Sequence, residues 1–344
     1  MAWTAPADRD RALGALWGLA VGDALGTTLE FTAPAAPPFP APATEPLHDL
    51  VGGGPFGLMP GEVTDDTQQA AALAGSLIAH HGDLDVGDLA ARLLDWQAHA
   101  FDVGSQTAAV LRRLAAGTPV DDAARLVWLD RDREACGNGG LMRTAPLAVA
   151  YALRPDALID AALAECGVTH WDPRCRLAQA AYDAAIASAV RPGGDATAGA
   201  MVATARAALD EAAARLDATG DDRDRVTAGH AALAADLDAA TADDPALYGP
   251  TLHLHRHQGF VRVAFRLAFW ELVHAPDYAT AVRDAANRGG DADTNAAIVG
   301  ALVGARVGVA GVPAPWIERV RTARPTDGAL ATRFHPTALV ELVA

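Results

Sequence analysis

Asn287-Arg-Gly-Gly-Asp-Ala-Asp-Thr-Asn295 runs directly into residues 296–309, AAIVGALVGARVGV, whose one charge is Arg306. The run predicts a buried helix, because a helix that is hydrophobic all round has no face to offer water. Gly300, Gly304 and Gly308 recur every four residues along one face. Glycine costs a helix interior about 1 kcal/mol relative to alanine, so three on one face imply that another backbone packs closely there. Asp291 and Asp293 therefore stand at the N-terminus of a buried helix. The helix dipole offers roughly 0.3–1 kcal/mol per carboxylate, too little for two acids near the interior. A hard, oxygen-liganded cation such as Mg²⁺ or Mn²⁺ would satisfy both, with Thr294 as a further ligand. The alternative is an acidic N-cap in a solvated loop.

The same pattern occurs earlier. Gly52-Gly-Gly-Pro55 and Pro60-Gly61 are turn signals. They lead into Val63-Thr-Asp-Asp-Thr-Gln68 and then an apolar helix. Capping by Thr64 explains one acid well, but not two separate Asp-rich helix starts with threonine beside the acids. The recurrence favours a metal site. Residues 9–25 read as a third apolar helix, with Gly14, Gly18, Gly22 and Gly26 again spaced by four. The two glycine-striped helices are expected to pack together. Asp23 interrupts the first of them and Glu30 follows it; read alone, each is a solvated helix end. Residues 33–46 are proline-rich, which excludes regular helix and predicts an exposed loop or lid.

The 344 residues allow one large domain or two ordinary ones. Hydrophobic residues make up 51%, enough for a sizeable core, and alanine and leucine dominate over β-branched runs, so the class should be mainly α. A net charge of −16 argues against a nucleic-acid or anionic-membrane binder. Cys136, Cys166 and Cys175 form no CxxC pair, which predicts neither a disulfide framework nor a cysteine zinc site and fits the reducing cytosol. The N-terminal MAWTAPADRDR lacks a signal-peptide pattern, and no uninterrupted apolar stretch reaches membrane-spanning length.

Other segments carry weaker signals. Asp102 in Phe101-Asp-Val-Gly-Ser105 is, alone, turn chemistry. Gly137-Asn-Gly-Gly140 is a glycine-rich loop whose N–H groups suit a phosphate, though it is not a Walker loop. Arg143 beyond it is either a ligand contact or a buried structural arginine. His170 lies between helices, where a lone histidine is commonly structural. His253, His255 and His257 alternate, a conceivable but weak zinc pattern. Residues 259–272 predict an amphipathic core helix. Residues 191–249 read as surface helices without chemistry. No linker divides the chain, so one domain over residues 1–344 is expected.

Five motifs now stand in order: GLAVGDALGTTLEF (18–31), GGGPFGLMPGEVTDDTQ (52–68), GNGGLMR (137–143), VTH (168–170) and NRGGDADTNAAIVGALVGA (287–305). Together they resemble the ADP-ribosylglycohydrolase family, nearest its bacterial dinitrogenase reductase-activating branch, over residues 9–318. The resemblance implies a single all-α domain, an orthogonal multi-helix bundle around a central cleft with two Mg²⁺ or Mn²⁺ ions. It implies Thr64, Asp65, Asp66, Asp291, Asp293 and Thr294 as metal ligands, and Glu30 as a mobile glutamate that reaches the metal. Gly137, Asn138, Gly139 and Gly140 would form the diphosphate turn, with Arg143 and His170 beside the ADP-ribose. Asp65 or Asp66 would move the proton, and Asp102 would meet the leaving guanidinium. The implied protein is a cytoplasmic monomer that removes ADP-ribose from arginine on protein. The alternatives are serine-linked or small-molecule ADP-ribose derivatives, or a non-catalytic binding or structural role. Ser105, Pro55 and the HRHQGF of 255–260 depart from the branch pattern, and are expected on the acceptor side of the cleft.

Overall fold

Alanine- and leucine-rich segments broken by glycine and proline give fifteen α-helices and no strand among the described residues, 6–33, 47–218, 222–243, 247, 252 and 254–344 of a computed structural model. In chain order they are α1 (Pro6–Gly26), α2 (Asp65–Ala79), α3 (Val86–Gln97), α4 (Ser105–Ala115), α5 (Val120–Asp130), α6 (Ala145–Tyr151), α7 (Pro155–Gly167) and α8 (Pro173–Val190). There follow α9 (Ala198–Ala218), α10 (Arg223–Thr241), α11 (Val261–His274), α12 (Tyr278–Asn287), α13 (Ala292–Val307), α14 (Ala314–Thr322) and α15 (Pro336–Val340). Local chemistry sets several starts: Asp85, Asp172 and Asp277 accept N–H bonds at the N-caps of α3, α8 and α12, and proline opens α7 and α8.

The expected pairing of the glycine-striped helices is present. A Cβ on Gly14, Gly18, Gly22 or Gly26 would lie 2.0–2.3 Å from the carbonyl oxygen of Gly304, Gly300, Ala296 or Ala292 respectively. α1 and α13 therefore run antiparallel, backbone against backbone, at a separation that only glycine permits on α1. Tyr278 of α12 clamps the pair, its hydroxyl donating to the Gly18 carbonyl at 2.7 Å. Tyr182 of α8 donates to the Ile298 carbonyl at 2.8 Å. The stretch Arg9–Leu29 is long and apolar enough to cross a membrane by composition, yet 83% of its apolar window is buried in the protein. Its hydrophobicity serves the contact with α13. One hydrophobic cluster extends from Ala12 to Val343 around this pair.

Residues 191–249 have more internal structure than surface helices on loops. α9 buries Met201, Ala205 and Leu209, and α10 buries Leu233 and Leu237. Asp236 of α10 is fully buried and holds both Arg262 and Arg266 of α11. α11 is a core helix as expected, burying Phe265, Phe269 and Trp270. Residues 34–46 of the proline-rich lid, and His253, fall outside the described residues.

Candidate active site

The antiparallel register of α1 and α13 sets Asp23 beside Asp293, and α2 arrives with its acidic start between them. Asp23 accepts from the Thr64 and Thr67 backbone N–H groups at 3.0 and 3.1 Å, and from their hydroxyls at 2.9 and 2.5 Å. It is fully buried. Reading Asp23 as a solvated helix end is therefore corrected: it caps α2 from another helix.

That outside cap frees the threonine. Thr64 is the N-cap of α2 but makes no capping bond with its own side chain, and neither does Asp291 at the N-cap of α13. Acids that merely cap would be bonded to their own helix starts. Instead the Thr64 hydroxyl lies 2.9–3.1 Å from carboxylate oxygens of Asp23, Asp66 and Asp293. One hydroxyl has one proton to give, so three carboxylates cannot all be satisfied by it. Thr294 adds a second hydroxyl 3.3 Å from Asp66.

Among the described residues, two acid triads have oxygens within 4.8 Å of one another: Asp23, Asp66 and Asp293, and Glu30, Asp291 and Asp293. Asp293 belongs to both. Asp66 Oδ1 and Glu30 Oε2 are buried with no protein hydrogen-bond partner. Orphaned oxygens in a crowd of like charges are the donor set a hard cation requires, so these residues fit divalent metal. Burial, then neighbouring acids, holds Asp65, Asp66 and Asp293 well above the usual carboxylate range. Burial and then Asp293, Asp102 and Asp291 push Glu30 up to about 10. Burial raises Asp23 to about 6 against its four threonine bonds, and raises Asp102 and Asp291.

Glu30 is held in place by reciprocal backbone bonds: Phe31 N–H to Gly290 O and Gly290 N–H to Thr32 O, both 2.7 Å. Phe31 adopts φ 58°, a left-handed conformation that costs a non-glycine residue roughly 1–2 kcal/mol. It lines the mouth of a cleft of about 790 Å³, a size suited to a small-molecule ligand. Its lining includes the acids Glu30, Asp65, Asp102, Asp291 and Asp293 together with Thr294. Asp102 lies close enough to Asp65 and Asp291 for their charges to act on one another, so it stands in the acid group. Arg131, Arg174, His257 and Phe260 line the same cleft, with the Arg174 guanidinium 5.6 Å above the Phe260 ring. Acids, two arginines and an aromatic ring in one cleft suit a ligand that carries both an anionic group and groups that approach the acids.

A sequence model of the family described as ADP-ribosylglycohydrolase matches residues 4–341. The chain belongs to that family. An ADP-ribosylarginine hydrolase, Tri1, of Pseudomonas putida (strain GB-1) is 30% identical over 328 residues, 90% of this chain and 74% of that protein. An ADP-ribosyl-[dinitrogen reductase] glycohydrolase of Rhodospirillum rubrum is 31% identical over 320 residues, 92% of each chain. A solved structure of an ADP-ribosylglycohydrolase-related protein complex superposes with a TM-score of 0.71 at 30% identity, covering 99% of this chain and 100% of that one.

Within this glycohydrolase fold the remaining expected residues divide. Gly137, Asn138, Gly139 and His170 line the cleft, whereas Gly140 and Arg143 do not. The N–H groups of Gly137 and Asn138 are engaged by Gln106 Oε1 (3.1 Å) and Gly259 O (3.0 Å), which narrows the expected diphosphate cradle. The Asn138 side chain donates to Asp291 at 2.6 Å. The loop is glycine-rich for a packing reason too. A Cβ on Gly139 would lie 2.9 Å from the His170 ring, and one on Gly140 3.0 Å from Cys166 Sγ. Burial lowers His170 to about 3, so this neutral ring supports the loop and brings no charge to a phosphate. Arg143 is fully buried against Glu165, which replaces the substrate-contact reading with the structural one.

Of the departing residues, Ser105 lines the cleft near Asp102, and Phe56, one residue beyond Pro55, packs on Phe101 at 5.3 Å. The 255–260 segment lines the cleft and joins the Gly137 loop through a bridge between Gly137 and Phe260. His255 bonds the Arg288 carbonyl at 2.7 Å while His257 faces the cleft, and no zinc group containing them occurs among the described residues.

The acids make metal-free stability pH-dependent. Each has a folded pKa above its unfolded value of 3.8 or 4.5. The folded state therefore binds more protons than the unfolded one, and stability present below about pH 4 is lost as pH rises through the folded values. In chelator the melting temperature is expected to be lower at pH 8 than at pH 6. A fixed excess of Mg²⁺ should raise it more at pH 8, by the equivalent of about 2.7 kcal/mol when the ion is at 100 times its Kd. Equal increments at both pH values in scanning calorimetry would count against metal binding by these acids.

Proposed function

We propose that the protein hydrolyses the N-glycosidic bond between ADP-ribose and an arginine side chain on protein, with two divalent cations, Mg²⁺ or Mn²⁺. The observation that carries this reading is a cleft in which Asp102 and Asp65 stand together among the acids while Arg131, Arg174 and Phe260 line the same cavity. The names of both relatives point the same way, to ADP-ribosylarginine and to ADP-ribosylated dinitrogen reductase.

Thr64, Asp65, Asp66, Asp291, Asp293 and Thr294 would hold the cations, with Glu30 and Asp23 completing the charge around them. When bound, the ions neutralise the acid cluster and polarise the oxygens brought to it. The chain's own groups do the rest. Arg131, Arg174 and Phe260 receive the ADP end. Asp102 faces the guanidinium and orients it. The ribose C1″–N bond breaks with oxocarbenium character, and water adds to the opposite face of the carbon. Its proton passes to Asp65 or Asp66, and a proton returns to the departing guanidine.

The direct test is release of ADP-ribose from arginine-linked and serine-linked substrates, each with Mg²⁺, Mn²⁺ or chelator. Metal-dependent release from arginine supports the reading, and release from neither refutes it. Asp102→Asn should lower kcat/KM on the arginine-linked substrate by about 10²-fold. On a serine-linked substrate, which has no guanidinium to orient, it should do far less. An equal loss on both would remove Asp102 from acceptor recognition.

A further inference from the structure

Asp65, an acid of the cleft, is tied to a buried ion pair. Asp65 and Gln69 lie one turn apart on α2, and Gln69 Nε2 donates to Asp65 Oδ2 at 2.9 Å. Gln69 Oε1 accepts from Arg143 Nη1 at 3.0 Å. Arg143 Nε donates to Glu165 Oε1 at 2.7 Å, and the other Glu165 oxygen accepts from Gln179 Nε2 at 2.6 Å. Gln69, Arg143, Glu165 and Gln179 are all fully buried.

The direction of this chain is forced. A guanidinium has only N–H donors, so the Gln69 oxygen must face Arg143. The Gln69 amino group must then face Asp65, and the amide cannot flip. Stability alone does not account for the pair, because burying a charge pair often costs as much as it returns. Its geometric consequence is specific, since it fixes which end of Gln69 meets the acid.

We propose that Gln69 and Arg143 are positioning residues for Asp65: the Arg143–Glu165 pair locks the Gln69 amide, and Gln69 holds one Asp65 oxygen so that the carboxylate presents a single orientation to the cleft. The inference rests on the proposed role of Asp65 in holding metal and moving a proton. Neither Gln69 nor Arg143 lines the cleft, so both act through Asp65. The Arg143 motif of the sequence thereby gains a role other than substrate contact.

Gln69→Glu keeps size and shape and retains an acceptor for Arg143, but replaces the donor facing Asp65 with a like charge. Mn²⁺ affinity by titration calorimetry and kcat on the arginine-linked substrate are each expected to fall by about 10–100-fold, the usual effect of losing a partner that orients a metal ligand. KM should stay within about threefold. The decisive arm is a double-mutant cycle: in an Asp65→Asn background the Gln69→Glu loss of Mn²⁺ affinity should shrink to below about threefold. A general packing defect would give the same loss in both backgrounds, and that result overturns the proposal. So does a folded Gln69→Glu protein with Mn²⁺ affinity and kcat within about threefold of wild type. If Gln69→Glu fails to fold, Gln69→Met removes the donor without adding charge and is read by the same criteria. Because affinity is measured without substrate, failure of the wild type to release ADP-ribose would refute the proposed reaction and leave the positioning result readable.

Discussion

Asp293→Asn is expected to reduce ADP-ribose release by about 10³-fold or more while raising the melting temperature in chelator. Asp293 is the acid shared by both triads, so its loss weakens each candidate metal position at once. Several kcal/mol of charge stabilisation are at stake, and each 1.4 kcal/mol or so is a factor of ten in rate. The opposite sign on stability follows from the same crowding. Burial and the neighbouring Asp291, Asp23 and Asp65 all disfavour the Asp293 charge. An asparagine oxygen still accepts from the Thr294 N–H, as Oδ1 does now at 2.8 Å. Its amino group would occupy the place of Oδ2, 3.1 Å from the Thr64 hydroxyl, and supply the donor missing there. The gain should be roughly 0.5–2 kcal/mol, the usual size for a single stabilising substitution. Turnover, Mn²⁺ titration and calorimetry in chelator test both halves. Unchanged turnover with two tightly held cations would remove Asp293 from the site.

Gly22→Ala is expected to cost more than about 3 kcal/mol and to leave little folded protein. Overpacking usually costs about 1–3 kcal/mol, but here the added methyl would meet the Ala296 carbonyl at 2.0 Å. A backbone oxygen in the middle of a helix has no rotamer to escape into, so α1 and α13 must separate along their length. Gly199→Ala is the matched control: a Cβ there meets nothing within 4 Å, and the change should stabilise by roughly 0.4–1 kcal/mol. Chemical denaturation of the two variants beside the wild type makes the comparison. A Gly22→Ala protein of unaltered stability would mean that the helices stand further apart than described.

The fold was legible because its determinants are local. Glycine turns mark the two acidic helix starts, apolar runs mark burial, and a four-residue glycine spacing marks a close helix contact. Asp65, Asp66, Asp291, Asp293 and Thr294 lie where those signals indicated. Asp23 was not legible: its four partners are on a segment 41–44 residues away, and nothing beside it in the chain distinguishes a buried cap from a frayed helix end. Arg143 was ambiguous for a related reason, since Glu165 and Gln69 belong to separate helices. The pairing of 255–260 with the Gly137 loop rests on backbone bonds that carry no residue preference. The family resemblance supplied the metal pair and the ribose, which neither spacing nor composition specifies.

The close seam between α1 and α13 also governs the order of assembly. α1 leaves the ribosome about 270 residues ahead of its partner. At roughly 5–20 residues per second, the glycine face of α1 waits on the order of 15–50 s for the backbone that covers it. Contacts so distant in sequence are slow to close. Asp23 and Glu30 meet Asp291 and Asp293 only once that seam closes, so the acid cluster is assembled by the pairing itself.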